Sequence, residues 1–185
     1  MAKARAARAA RLAQGDIIRD VEYVEYVVER NGQLEMAKIV FPLVVVLTQD
    51  CDLAQDYKFR WSKHPTTTND KLLLSVLVAP LYNAEHVYNG EQLSELGMKM
   101  VPINRNKSPG DNLRKNETPR YHYLDFGSDI PVVPSVVDFK HYFSVNAAYL
   151  KKAKSRNFVC RISTLYREDI AQRFASFLAR IALPD

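Results

Sequence analysis

The chain has 185 residues, 47% of them hydrophobic and 25% charged, which suits a globular domain able to bury a real core, since domains commonly run about 100–200 residues. No apolar run approaches the roughly 20 residues of a membrane-spanning helix. The basic start MAKARAARAARLAQ has no apolar stretch of the secretory type, so membrane and secreted classes are set aside and a cytoplasmic protein is expected. The formal charge of +5 is mildly basic, compatible with a nucleic-acid partner without requiring one.

In chain order, residues 1–13 are rich in Ala and Arg and hold no breaker, which predicts a short basic helix or arm ended by Gly15-Asp16. DIIRDVEYVEYVVER, residues 16–30, is dominated by β-branched and aromatic residues and predicts a strand. Asn31-Gly32 follows it and precedes a second apolar-alternating segment, the signature of a hairpin with a type I′ turn. LVVVLT is a continuous apolar run, as expected of a strand buried on both faces. KLLLSVLVAPL predicts a second such strand, closed by Pro80. Between the two, QDCDLAQDYKFRWSKHPTTTND should begin as a short helix at Asp52 or Leu53 and end in a polar loop.

AEHVYNGEQLSEL reads as one helix or two short ones. The basic zone from Lys99 through Arg120 also holds Asn104, Asn106, Pro109, Gly110 and Asn112, the composition of a long mobile loop. RYHYLDF and VVPSVVDFKHYFSV predict two more strands, VNAAYLKKA a helical turn, and FVCRIST a last short strand. The C-terminal helix has Ser163 or Thr164 as N-cap and Pro184 beyond its end. Its apolar positions Leu165, Ile170, Phe174, Phe177, Leu178 and Ile181 form a stripe expected to pack on the sheet.

The order GDII, hairpin, FPLVVVLTQ, loop, LLLSVLVAPL, insertion, VVDFKHYFSV and a helix carrying REDIAQRF resembles the MazF/PemK family of bacterial toxins. Gly15-Asp16-Ile17, Pro42 to Thr48, Leu74 to Leu81 and Asp138 to Ser144 occupy the family's motif positions. The resemblance implies a mainly β (α+β) class: an SH3-like barrel over residues 14–185, with a loop and helix insertion around 83–120 and a C-terminal helix. It also implies a toxin–antitoxin or phage-defence setting. The family's ribonuclease chemistry relies on an Arg just before the Pro of the second motif and a Ser or Thr ending the third. Here those places hold Phe41 and Pro80 or Leu81, none of which can act as a general acid or steady a cleaving phosphate. The QDCDL string is similar to one in uncharacterised bacterial proteins of like length.

Asp50-Cys51-Asp52 is the first candidate site. On a strand the two carboxylates would share a face and could bind a divalent metal or split their pKa values for acid–base work. Cys51 at a helix start could be a nucleophile, with His122 and an Asp assembled around it in space. The alternatives are an Asp that caps the helix and a core histidine. The two cysteines, Cys51 and Cys160, are too few for a disulfide framework or a zinc pattern, and Cys160 reads as a small buried hydrophobe.

A second signal is the interleaving of cations with rings, a combination that single-strand binding surfaces use for phosphates and bases. Lys58, Arg60 and Lys63 surround Phe59 and Trp61, while Arg114, Lys115 and Arg120 lie beside Tyr121 and Tyr123. The function expected is therefore a nucleic-acid-associated barrel without standard MazF catalysis. The alternatives are a nuclease with a relocated Asp50/Asp52 site and a protein-interaction module. Partners expected are RNA or single-stranded DNA, a protein encoded nearby, or a second copy in a homodimer. No cofactor is expected beyond a divalent metal at Asp50/Asp52.

Overall fold

The computed structural model describes residues 4–5, 10–61, 68–106 and 111–180, so Lys63, Ile181 and Pro184 lie outside the described residues. Its elements are β1 (Ala4–Arg5), β2 (Asp16–Arg30), β3 (Gln33–Val46), α1 (Asp50–Arg60), β4 (Ser75–Asn83), α2 (Ala84–Asn89) and β5 (Tyr121–Leu124). After them come β6 (Ser135–Asp138), β7 (Phe143–Asn146), α3 (Ala147–Asn157), β8 (Phe158–Ile162) and α4 (Thr164–Leu178). The strand pairings are antiparallel, and the mainly β, α+β class expected from the sequence is observed. The residues group into two compact units, one of Arg8–Pro80 with Phe143–Val159, the other of Met1–Ala7, Leu81–Tyr142 and Cys160–Asp185.

In the first unit β2 and β3 form the expected hairpin, with Asn31 at φ 52 and Gly32 at φ 73, the two positive values a type I′ turn needs. The ladder skips the pair Asp20/Pro42, because Pro42 has no N–H to donate, and Asp20 takes φ 53 there. Val44 to Leu47 are at most 5% exposed, as the continuous apolar run predicted. The outer half of the hairpin is exposed, Tyr26, Val27, Leu34 and Met36 included. β4 starts at Ser75 and, contrary to expectation, runs through Pro80, which pairs with Val44. The strand changes partners there, from β3 to β6 at Leu81, so the missing N–H falls at the changeover. The first unit's ladder runs β2-β3-β4-β7 and is open: no pairing between β7 and β2 occurs among the described residues.

VNAAYLKKA, expected to make one turn, opens the eleven-residue α3. Asn146 caps it, its Oδ1 accepting from the Ala148 and Tyr149 amides at 3.0 and 3.1 Å. Leu150 of α3 joins Ile18, Val44, Val76 and Phe143 in the core. One ion pair is buried with them: Lys154 Nζ lies 2.7 Å from Asp16 Oδ2, the two side chains 3% and 0% exposed. The leader expected as a helix or an arm is not helical at residues 10–13, and Leu12 and Ala13 are buried. The helical alternative is thus corrected at these positions.

In the second unit the last residues of β4 pair with β6, and β6 with β5, while β1 pairs with β8 through Ala4 and Ile162. VVPSVVDFKHYFSV gives two strands rather than one, because a 3₁₀ turn over Phe139–His141 interrupts it. Asp138 starts that turn by accepting from the Lys140 amide. Phe139 is fully buried, with Phe174 and Phe177 of α4 at ring-centroid distances of 5.5 and 5.9 Å. The predicted stripe of α4 is narrower than expected, since Leu165 and Leu178 are exposed. α2 and a 3₁₀ turn at Ser94–Leu96 are the two short helices anticipated. Gly90 ends α2 at φ 74, where a Cβ would come within 2.3 Å of the Met100 carbonyl. The described parts of the zone expected as a mobile loop are fastened down. Ile103 N donates to Tyr88 O at 2.9 Å, and Leu113 is 1% exposed.

Asp16→Asn would leave the Lys154 ammonium buried without its counter-charge, and the expected loss is about 3–5 kcal/mol. Urea unfolding checks it: the midpoint should fall sharply in the single variant and recover largely in Asp16→Leu/Lys154→Met. An unchanged midpoint in Asp16→Asn would show that the pair does not hold this unit together.

Candidate functional site

The QDCDL stretch opens α1 earlier than expected, at Asp50, with Gln49 as an N-cap that makes no side-chain cap bond. The capping role anticipated for the aspartates is therefore corrected. Asp50 instead accepts two bonds from the Arg11 guanidinium, at 3.0 and 2.8 Å, and a third from the Gln14 amide at 3.3 Å. The bidentate geometry is that of a strong charge-assisted pair, and the Asp50 hydrogen bond raises the Arg11 pKa above its ordinary value. Asp52 is exposed and lies on a helix, not a strand. Residues two apart on a helix diverge by about 200°, so the shared face expected of Asp50 and Asp52 is lost. Among the described residues no group of three or more His, Cys, Asp or Glu is placed to hold a metal ion.

Cys51 is exposed, its Sγ 3.6 Å from both Gln49 Oε1 and Asp52 Oδ1. His122 belongs to the other unit and is 1% exposed, its ring 6.3 Å from that of Phe139 and its Nδ1 without a hydrogen-bond partner. Burial, with the Arg173 charge adding to it, pushes the His122 pKa down to about 3, so the imidazole is neutral at ordinary pH.

The basic–aromatic stretch on α1 is sorted by the fold. Arg60 turns inward, with Asp56 Oδ1 at 2.6 Å and the Leu73 carbonyl at 2.7 Å from its Nη2. Asp56 in turn accepts from the Leu73 amide at 2.8 Å, so Arg60 is occupied in fastening a chain segment. Lys58 and Trp61 face outward, Trp61 being 55% exposed. The cation that meets Trp61 comes from α3: Lys151 Nζ lies 3.1 Å from the Trp61 ring centroid and 5.1 Å from that of Tyr57. Desolvation first, and then the Arg60 charge, lowers the Lys151 pKa. Lys151 belongs to LKKAKSRNFVCR, a third basic zone of the sequence that reads by itself as a solvated face, and neither it nor Tyr57 is marked by local pattern as a neighbour of Trp61. They meet only through the packing of two helices, and no spacing rule signals that.

The RYHY stretch is sorted too. Arg120 binds Asp138 through Nε at 2.9 Å and Nη2 at 2.5 Å, and lies over the buried Tyr121 ring at 4.9 Å. Asp138 is wholly buried, with His141 Nδ1 at 3.5 Å. Tyr82 Oη lies 3.1 Å from the same His141 nitrogen. Desolvation lowers the His141 pKa against the opposing pull of Asp138, and burial raises that of Tyr82. Phenol, imidazole, carboxylate and guanidinium thus share one half-buried network. Its sequence signal was the Asp and His three apart in VVDFKHYF, concealed by a stretch that reads as strand. Arg114 and Lys115 are exposed.

No family model matches the chain, and no curated protein matches it.

Asp50→Ala removes the carboxylate that accepts from the Arg11 guanidinium and the Gln14 amide and should cost about 2 kcal/mol, whereas Asp52→Ala should stay within about 0.5 kcal/mol. Thermal melts of the two variants check this, and equal shifts would refute the division of roles. For His122 the folded pKa lies below the unfolded one. Between about pH 6.5 and 3 the unfolded chain therefore binds a proton that the folded chain refuses, and stability falls on acidification. His122→Leu should flatten the decline of the urea midpoint between pH 7 and 4.5. A decline as steep as in the parent would exclude His122 as its source.

Proposed function

We propose that the protein is a nucleic-acid-associated component of a bacterial toxin–antitoxin or phage-defence type system. In this reading an SH3-like barrel binds RNA or single-stranded DNA without the usual MazF chemistry. The barrel rests on the motif order GDII, FPLVVVLTQ, LLLSVLVAPL and VVDFKHYFSV. The binding role rests on one observation, the exposed Trp61 ring with Lys151 against it and the exposed Lys58 on the same helix. A large ring left half in water is costly as core packing but useful for stacking a base, and neighbouring ammonium groups suit the phosphates on either side. Trp61 is the chain's one tryptophan, so its fluorescence reports directly on stacking.

Titration with single-stranded RNA and DNA should quench Trp61, with affinity falling steeply between about 50 and 200 mM salt as counterions are released. Trp61→Ala should weaken binding by about 1–3 kcal/mol, the worth of one stacked base. Binding that is absent, or insensitive to salt and to Trp61→Ala, rejects the proposal. A second reading, a divergent nuclease, is favoured by the Tyr82–His141–Asp138–Arg120 network, which holds acid–base and phosphate-binding groups together. The same strands incubated with Mg²⁺ or with EDTA test it: cleavage that His141→Ala abolishes without loss of fold supports a nuclease, and intact strands exclude one.

A further inference from the structure

The second unit holds a cleft of about 290 Å³ that neither reading uses. Its lining includes Tyr88, Tyr123, Arg105, Arg114, Glu85 and Asp111. The Arg105 guanidinium lies 3.9 Å from the Tyr88 ring centroid and pairs with Glu85. The Tyr88 hydroxyl donates to Asp111 Oδ1 at 2.5 Å, and the same oxygen accepts from the Arg114 amide at 3.3 Å. Asp111 N donates to the Arg105 carbonyl at 3.0 Å. One aspartate thereby ties together the two arginine-bearing segments and the tyrosine between them.

It does so at φ 51, the left-handed region that residues with a Cβ seldom adopt. Tyr123 is equally constrained: the Asn116 side chain accepts from its amide at 2.6 Å and donates to its carbonyl at 3.2 Å, with Asn116 itself at φ 60. Two left-handed non-glycine residues therefore brace the rings and cations of one cleft. Backbone strain of this kind concentrates where a site must be held in shape before its ligand arrives.

The lining combines flat aromatic surface, two guanidinium groups and two carboxylates. That set complements a molecule with a planar heterocycle, hydroxyl or amino donors, and a phosphate. The volume lies at the small end of ligand pockets, about 300 Å³. We propose that this cleft binds one nucleotide unit, its base against Tyr123 and its phosphate on Arg105 and Arg114. The unit is either a free nucleoside monophosphate or the 5′-phosphorylated end of a strand. The proposal does not rest on the Trp61 surface, which belongs to the other unit.

Calorimetric titration of the full chain with the four nucleoside monophosphates, their nucleosides, inorganic phosphate and a 5′-phosphorylated trinucleotide tests it. At least one monophosphate should bind saturably, with its nucleoside and inorganic phosphate about tenfold weaker or worse, since each supplies half the contacts. Arg114→Gln, at an exposed position, should weaken binding about tenfold without moving the melting temperature, and Tyr123→Leu should weaken it similarly. A trinucleotide that binds as well as the monophosphate identifies a strand end as the source, and one that binds worse identifies the free nucleotide. Absence of saturable binding overturns the proposal, as does inorganic phosphate binding equally well or indifference to Arg114→Gln. If monophosphate binding is absent while strands still quench Trp61, only this proposal fails. The converse result fails only the preceding one.

Discussion

The first unit depends on the ion pair between Asp16 and Lys154. Both groups are almost wholly out of water, where either charge alone would be prohibitive and only their pairing with further hydrogen bonds makes burial tolerable. Those further bonds are present. Asp16 Oδ2 accepts from the Ala13 amide at 2.9 Å, and Lys154 Nζ donates to the Arg11 carbonyl. The segment from Arg11 to Asp16 is thereby held against α3. From that fixed segment the Arg11 side chain reaches Asp50 at the start of α1, and the Gln14 amide group reaches the Leu47 carbonyl at 3.0 Å. The positions of α1 and α3 both trace to this short stretch, and the Trp61–Lys151 contact is made between those two helices.

What sequence made legible was local chemistry. Asn31-Gly32 announces its turn because few other pairs accept two positive φ angles. LVVVLT announces a buried strand because a run apolar on both faces has no solvent side. What remained hidden was pairing over distance. Lys154 sits in LKKAKSR, which reads as a solvated basic face, and nothing nearby reveals that Asp16 claims one of its lysines. Asp50 reads as a cap or a metal ligand until Arg11 is brought to it from a segment that had been expected to be helix or arm. Pro80 reads as a stop, and the rule fails because the strand changes neighbours at that residue.

The same logic revises the reading of the basic stretches. Arg11, Arg60, Arg120 and Lys154 each have an aspartate of their own, Asp50, Asp56, Asp138 and Asp16. Every one of these pairs joins a carboxylate to a cation with a backbone group also bound, so much of what looked like a basic surface is internal wiring. Each such pair is neutral and leaves the net charge of +5 as it stands; what the pairing reduces is the number of pattern-marked cations that face a phosphate. The informative cations are the ones left at the surface beside rings.

Lys151 is such a cation, and its setting constrains how a strand could engage it. The ammonium already occupies one face of Trp61 and is partly desolvated there. A base arriving at Trp61 either stacks on the opposite face, keeping the cation–π contact, or displaces Lys151 toward a phosphate. In the first case Lys151 polarises the ring from behind and contributes little to salt dependence. In the second it trades a contact with a ring for a full charge pair in water, and the salt slope grows by about one counterion.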